Sequence, residues 1–188
     1  MNNTAEQLGF GPQDYLAWEA EQAVKHEYLR GEVFAMTGVS IAHNKVNLNL
    51  ALSLKQRLRG GPCQVLMAEV KLQVEAADAF FYPDLMVTCG AEAKQDSHTV
   101  SKALLVAEIL SPSTEAYNRG EKFACYRKLP SLQEYLLIDP DRLSVELFRR
   151  DASNHWVLYT FALEDQLELA SLDLLIPLSE LFEDLLPG

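Results

Sequence analysis

The sequence FYPDLMV at residues 81–87 places one carboxylate, Asp84, inside an otherwise apolar run. A second apolar run, LLVAEIL at residues 104–110, also contains a single acid, Glu108. A carboxylate that is taken out of water is costly unless it is paired or bound to a metal ion. The two acids are therefore candidates for a shared cation or proton, and Lys122 follows them as a positive charge that completes a hydrolytic site.

Strand alternation indicates how these acids meet. If both runs are strands, Asp84 shares a face with Met86, and Glu108 shares a face with Val106 and Leu110. Pairing of the two strands as neighbours then brings both carboxylates to one place.

Length and composition predict one domain that spans residues 1–188, because 48% hydrophobic residues can fill a sizeable core. Three cysteines without a Cys-x-x-Cys pair favour reduced thiols and a cytoplasmic protein. No apolar run approaches the roughly 20 residues of a membrane-spanning helix, and residues 1–11 lack the features of a secretory signal. Neither membrane insertion nor secretion is expected.

The charge balance limits how nucleic acid can be bound. The chain has 27 acidic and 16 basic residues, a net charge of −11, which repels phosphate at long range. Contact with nucleic acid must therefore be local. Two basic clusters, at residues 45–59 and 119–128, are candidates for that contact, and solvated helix faces are the alternative.

Periodicity and turn residues predict an ordered series of elements. They are a helix at 12–25, a hairpin at 25–36 around Arg30-Gly31, a helix from the N-cap Ser40 to Gly60, strands at 64–74, 81–88 and 102–110, a helix at 115–129, a strand at 134–138, a hairpin at 143–161 and a helix at 178–186. This mixture predicts an α/β or α+β sheet that is covered by helices on two sides.

That order resembles the αβββαβ core of the PD-(D/E)XK nuclease superfamily, with a mixed, restriction-endonuclease-like sheet. The chain is more closely similar to the Uma-type restriction-endonuclease family, over about residues 12–165. The resemblance rests on Arg30-Gly31-Glu32, His43, Pro83-Asp84, the segment Glu108-Ile109-Leu110-Ser111-Pro112-Ser113, Gly120-Glu121-Lys122, Tyr126-Arg127-Lys128, and the segment Glu134-Tyr135-Leu136-Leu137-Ile138-Asp139-Pro140.

The resemblance implies a metal-dependent DNA endonuclease in which Asp84, Glu108 and the backbone carbonyl of Ile109 hold Mg²⁺ or Mn²⁺. Carboxylate oxygens suit these hard cations. A catalytic lysine is usual two residues after the glutamate, where this chain has Leu110. The resemblance to the Uma-type branch implies that Lys122, from the following helix, takes over that role.

Two features of the sequence bear on whether Lys122 can replace the strand lysine. A helix rises about 1.5 Å per residue. If this helix starts near Asn118, Lys122 is close enough to contact the strand end, whereas a start at Glu115 makes that contact harder to form. The branch also commonly has an aspartate where this chain has Asn118, so a supporting charge is absent there.

Three further residues are candidates for the site. His43 continues the buried stripe of its helix toward the N-terminus, where it can bind metal or phosphate or serve as a structural histidine. Glu32 offers another oxygen ligand or is an exposed hairpin acid. Glu69 points toward Asp84 if the first strand runs beside the second, and the neighbouring Lys71 is expected to be exposed.

Three functions remain open at this stage. The favoured one is a DNA endonuclease that acts as a homodimer, because a double-strand break is simplest with two active sites. The second is a binding or regulatory protein that keeps the nuclease fold without activity, which the missing strand lysine, Asn118 and the acidic surface favour. The third is a hydrolase of another phosphoester.

Overall fold

The computed structural model describes residues 6–7, 9, 11–90 and 98–186. The helices in these residues are α1 (Pro12–Glu19), α2 (Ile41–Arg57), α3 (Glu115–Tyr117), α4 (Phe123–Tyr126) and α5 (Leu178–Phe182), with a π-helical turn, Asn118–Lys122, between α3 and α4 and 3₁₀ turns at Glu75–Ala77, Ala170–Leu172 and Glu183–Leu185. The strands are β1 (Glu6–Gln7), β2 (His26–Leu29), β3 (Glu32–Ala35), β4 (Cys63–Met67), β5 (Lys71–Val74), β6 (Ala79–Phe81), β7 (Leu85–Cys89), β8 (Thr99–Val100), β9 (Leu105–Ile109), β10 (Glu134–Asp139), β11 (Ser144–Arg150), β12 (Trp156–Phe161), β13 (Gln166–Leu169) and β14 (Leu174–Pro177).

A six-stranded sheet forms the centre of the fold, in the order β12-β11-β10-β9-β7-β4. Strands β9 and β10 are parallel, and the other neighbours are antiparallel. Helix α2 packs on one face of this sheet, where Leu50 and Leu54 join Leu105 in one apolar cluster. The segment α3–α4 covers the other face, where Tyr126 packs with Val106. The expected mixed α+β fold with helices on two sides is confirmed.

A second six-stranded sheet, in the order β1-β3-β2-β6-β5-β8, contains the predicted N-terminal hairpin. Strands β2 and β3 pair directly, and Leu29 lies opposite Glu32. Arg30 and Gly31 both have positive φ, 50° and 89°, as a two-residue turn that follows the strand twist requires. The hairpin therefore lies beside the central sheet as part of a separate sheet.

Two of the expected strands are each divided between the two sheets. The run 64–74 breaks after Met67, where the amide of Val70 bonds to the Met67 carbonyl at 3.1 Å, and continues as β5 in the second sheet. The run 81–88 breaks at Pro83, which has no N–H for a strand ladder. Asp84 consequently lies at the crossing between the two sheets.

The C-terminal tail contains a hairpin that the sequence patterns did not predict. Strands β13 and β14 form a two-stranded sheet, and the expected helix at 178–186 is limited to α5 and a 3₁₀ turn. Leu167, Ile176 and Phe182 pack into the cluster beneath α2. The tail therefore completes the core on that face.

The expectation of reduced cysteines is wrong for two of the three. Cys63 and Cys89 lie opposite each other on the antiparallel strands β4 and β7 and form a disulfide, with Cα atoms 4.0 Å apart. Strand pairing joins residues that are 26 positions apart, so sequence spacing gave no sign of the bond. Cys125 is a buried free thiol, as expected.

None of the helices in the described residues combines the length and the apolarity that are needed to cross a membrane.

Candidate active site

Asp84 and Glu108 meet at the adjoining ends of β7 and β9. The antiparallel register pairs Leu85 with Ala107, and one further step along it places Asp84 opposite Glu108. The backbone amide of Ile109 donates a 2.8 Å hydrogen bond to Asp84 Oδ2, which fixes the aspartate against the edge of β9. The structure thus brings the two acids together, as strand alternation indicates.

The N-terminus of α2 holds Asp84 from the other side. Ser40 caps this helix by accepting a bond from the His43 amide at 3.1 Å. The His43 side chain, which is buried, places Nε2 3.0 Å from Asp84 Oδ1. One turn later, Asn47 Nδ2 donates to the Asp84 backbone carbonyl at 3.2 Å. His43 therefore reaches the site through Asp84.

Lys122 joins the carboxylates although its helical segment starts early. Its Nζ lies 2.9 Å from Glu108 Oε1. The segment is helical from Glu115, where the sequence predicts the helix to begin, so the later start near Asn118 that would favour this contact is not what brings Lys122 to the strand. The residues from Asn118 to Lys122 form a π-helical turn, whose wider ring adds a residue to the turn. This turn changes the direction of Lys122 relative to a continuous α-helix, and the lysine faces the strand ends.

Glu27 is a member of the site that the sequence patterns missed. It lies on β2 of the second sheet, and its Oε1 is 2.8 Å from Lys122 Nζ. The same oxygen accepts the backbone amide of Tyr82 at 3.1 Å. The criterion that selected Asp84 applies here too, because Glu27 is a single acid in a strand that also contains buried Tyr28 and Leu29. Only the packing of the second sheet on the first shows that it belongs to the site.

Glu32 and Glu69 are not brought to this cluster. Glu32 lies beside the hairpin turn, opposite Leu29 and Gln7. Glu69 follows the end of β4, its side chain is 83% exposed, and it pairs with Lys25. Lys71, expected to be exposed, is partly buried and donates to the Tyr82 hydroxyl at 3.2 Å. Glu69 is separated from Asp84 because the strand run 64–74 leaves the central sheet after Met67, and Glu32 lies on the hairpin of the second sheet.

Burial governs the electrostatics of Glu108. Loss of hydration raises its pKa to about 8; Lys122 opposes this shift, and Asp84 and Glu27 add to it. Burial lowers the pKa of Lys122, but its contacts with Glu108 and Glu27 outweigh that effect and raise the pKa above the ordinary value. The ammonium therefore stays charged. Two carboxylates, those of Glu27 and Glu108, contact this one lysine, and Asp84 lies opposite Glu108 at the strand end.

The oxygen atoms of the cluster are available to a hard cation. Glu108 Oε1 accepts both from Lys122 and from the Tyr126 hydroxyl, the latter at 2.9 Å, so neither contact uses Oε2. A strand residue directs its N–H and C=O to the same side, so the Ile109 carbonyl points toward Asp84 together with its amide. No three His, Cys, Asp or Glu side chains in the described residues converge as ready metal ligands. Two carboxylates, a carbonyl and waters are a set that suits Mg²⁺, which retains several waters.

A cavity of about 340 Å³ opens onto these groups. Its lining includes Glu27, His43, Asp84, Glu108, Asn118 and Lys122. The backbone carbonyl of Asn118, where the resemblance leads one to expect aspartate, accepts from the Tyr135 hydroxyl at 3.0 Å. The cavity size falls in the range of about 300–1,000 Å³ that is typical of small-molecule sites.

Comparison with solved structures supports the fold. A crystal structure titled as a putative nuclease belonging to DUF820, from Anabaena variabilis ATCC 29413, superposes with a TM-score of 0.77. The match covers 92% of this chain and 98% of that chain at 18% sequence identity. At this identity the similarity concerns the fold, which is nuclease-like.

Sequence comparison gives the family. Two uncharacterized proteins of Synechocystis sp. (strain ATCC 27184 / PCC 6803 / Kazusa) are similar: slr1290 is 36% identical over 163 residues, 87% of this chain and 86% of its own, and sll1609 is 31% identical over 147 residues, 77% of this chain and 83% of its own. Residues 12–181 match the Uma2 family, which is described as "Putative restriction endonuclease". The chain belongs to the Uma2 family.

Proposed function

We propose that this protein is a metal-dependent DNA endonuclease, with Mg²⁺ or Mn²⁺ held by Asp84, Glu108 and the Ile109 carbonyl. The observation that carries the proposal is the 2.9 Å contact between Lys122 Nζ and Glu108 Oε1. Asp84 lies opposite Glu108 at the same strand end. Lys122 supplies the positive charge that the apolar Leu110 cannot supply. The family description and the nuclease-like fold support the same reaction.

The ion, when bound, supplies Lewis-acid chemistry: it neutralises charge on phosphate oxygens and acidifies the attacking water. Lys122 keeps its positive charge beside Glu108 and stabilises the negative charge that develops on the phosphate. Glu27 holds this ammonium from the second sheet, and Tyr126 fixes the orientation of Glu108. His43 and Asn47 position Asp84. Each reacting group is thus oriented by a second residue.

Cleavage of plasmid and oligonucleotide DNA, with an RNA panel beside it, tests the proposal. We expect cleavage that requires Mg²⁺ or Mn²⁺, stops with a chelator, and falls at least about 100-fold in Asp84→Asn and Glu108→Gln. Glu69→Gln is the matched control, because this acid is exposed and outside the cavity. Chelator-resistant cleavage, or full activity of Asp84→Asn, contradicts the proposal. Metal and DNA binding without cleavage supports an inactive nuclease-fold protein instead.

A homodimer is part of the proposal. Strand β12 is an edge of the central sheet, and Val157, Leu158 and Tyr159 on it are 39%, 48% and 40% exposed. Apolar side chains on an open strand edge favour pairing with another chain, and two copies supply the two active sites of a double-strand break. Sedimentation that shows only monomer at high concentration contradicts this part.

A cytoplasmic location is also proposed, because the proposed nuclease must have access to DNA. The structure contains a Cys63–Cys89 disulfide, and disulfides are rare in the reducing cytosol. Thiol labelling during rapid lysis therefore tests the location: labelled Cys63 and Cys89 support a cytoplasmic protein, and a fully oxidised pair contradicts it.

A further inference from the structure

The cavity has an apolar wall beside its carboxylates. Phe34 at the end of the N-terminal hairpin and Tyr117 at the end of α3 line it, with ring centroids 6.2 Å apart and planes inclined by 34°. Met36 and Val39, from the loop that leads into α2, continue the wall, and Val39 is 56% exposed. Both residues line the cavity and are only partly buried, so part of their apolar surface is open to a ligand.

The charges that line the cavity do not favour binding of a long stretch of nucleic-acid backbone. In the described part of the chain, four acids line it, Glu27, Asp84, Glu108 and Glu121, and Lys122 is its one lysine or arginine. This lysine already contacts Glu27 and Glu108. Proteins that bind intact duplex position it through many phosphate contacts from basic side chains. A metal ion held by Asp84 and Glu108, together with Lys122, would neutralise one phosphate, whereas the four acids of the lining would repel the neighbouring phosphates.

We infer that the site takes one unpaired nucleotide, from single-stranded DNA or extruded from a duplex, with its base stacked on the wall of Phe34 and Tyr117. The inference rests on the proposed function, because the phosphate of that nucleotide lies at Asp84 and Glu108. Bases in an intact duplex are stacked on each other and expose only their edges, so their faces reach a protein wall only after extrusion. A cavity of about 340 Å³ is near the lower limit for ligand sites, which suits one nucleotide better than a duplex segment.

Binding and cleavage of four DNA molecules test the inference. They are a circular single strand, a linear single strand, an intact duplex, and the same duplex with one unpaired nucleotide. Binding is measured by fluorescence anisotropy in Ca²⁺, and cleavage is measured in Mg²⁺. The variant Phe34→Leu keeps apolar volume and removes the ring. Trp18→Leu is its matched control, since Trp18 is also a partly buried aromatic residue and lies outside the cavity lining.

We expect wild-type protein to bind the single strands and the duplex with an unpaired nucleotide at least about fivefold more tightly than the intact duplex. Phe34→Leu removes that preference, because stacking of a base on an aromatic side chain is worth about fivefold to 150-fold in affinity. Trp18→Leu retains it, and thermal melting establishes that both variants are folded. Cleavage of the single strands exceeds that of the intact duplex by a similar factor.

Equal binding of all four molecules, or an unchanged preference in Phe34→Leu, overturns the inference. If intact duplex is cleaved as fast as single strands, the inference fails while the nuclease function stands. If the binding preference is present without any cleavage, the nuclease function fails while the nucleotide site stands.

Discussion

Lys122 Nζ lies 2.9 Å from Glu108 Oε1, and these two residues come from a π-helical turn and from the neighbouring strand β9. The lysine is 6% exposed and the glutamate 3%, so the pair is almost completely removed from water. Glu27 on the second sheet completes the contact. The positive charge beside Glu108 therefore comes from the helical segment, whereas Leu110 on the strand side packs in the apolar core.

Replacement of Lys122 tests whether its contact with Glu108 stabilises the folded protein in addition to its proposed role in the reaction. Lys122→Met leaves Glu108 and Glu27 buried without their cation, which is expected to lower the free energy of unfolding by about 3–5 kcal/mol. Urea unfolding measures the change, and Mg²⁺ is expected to restore part of it. Lys128→Met is the control, because Lys128 is exposed just after the same helical segment. Equal stability of Lys122→Met and wild type contradicts the contact.

The raised pKa of Glu108 predicts how the stability of the metal-free protein depends on pH. Its folded pKa of about 8 exceeds the ordinary value of 4.5, so the folded state holds a proton that the unfolded chain releases. This stabilising contribution is fully present below about pH 4.5 and is lost as pH rises through 8. Thermal melting in a chelator is expected to show decreasing stability between pH 5 and pH 8.5.

Glu108→Gln provides the control for that profile, since glutamine cannot release the proton. We expect the variant to lose most of the fall in stability between pH 5 and pH 8.5. Mg²⁺ is also expected to stabilise wild type more at pH 8.5 than at pH 6, because a proton competes with the ion for the carboxylate. An identical pH profile in both proteins would be evidence against a titrating Glu108.

Tyr126→Phe tests the orientation of Glu108 without a change in shape. The hydroxyl donates to Glu108 Oε1 at 2.9 Å, and a hydrogen bond to a charged acceptor contributes about 1.5–3 kcal/mol. Its loss is expected to lower kcat. Because the ionised carboxylate loses a donor, the pKa of Glu108 is also expected to rise, so activity that requires ionised Glu108 should appear at higher pH than in wild type. A pH–rate profile measures both effects. A reduced kcat without a shift of the profile would indicate a packing effect instead.

The sequence predicted the parts of the site that depend on local periodicity. Alternation along two strands placed Asp84 and Glu108 on one face, and the Ser40 cap with helical spacing directed His43 toward the helix N-terminus. These residues are positioned by elements that are regular in themselves. The order of those elements indicated a mixed sheet covered by helices, and the restriction-endonuclease-like fold was implied by the resemblance to the nuclease superfamily.

Other features depend on contacts between distant parts of the chain. Glu27 enters the site only because β2 pairs with β6 and the chain then crosses at Pro83 into the central sheet. The π-helical turn at Asn118 has no periodic signature that differs from an α-helix over so few residues. The pairing of β4 with β7 likewise created the Cys63–Cys89 bond, which no spacing rule indicates.

That disulfide is expected to stabilise the protein. It joins positions 26 residues apart, and closure of a loop of that size is worth about 3.5 kcal/mol through the unfolded chain. Urea unfolding with and without dithiothreitol measures the effect. The double variant Cys63→Ser, Cys89→Ser is expected to match reduced wild type and to be insensitive to the reductant. If the wild-type protein has the same free energy of unfolding with and without dithiothreitol, the disulfide does not stabilise the fold.

The position of the ion is tested most directly by a crystal structure of the protein soaked in Mn²⁺, recorded at a wavelength where manganese scatters anomalously. We expect one anomalous peak that is about 2.0–2.3 Å from an oxygen of Asp84, an oxygen of Glu108 and the Ile109 carbonyl, and that disappears in Glu108→Gln. A site without a peak at saturating Mn²⁺, or a peak that does not contact Asp84 and Glu108, would contradict a metal centre at this strand end.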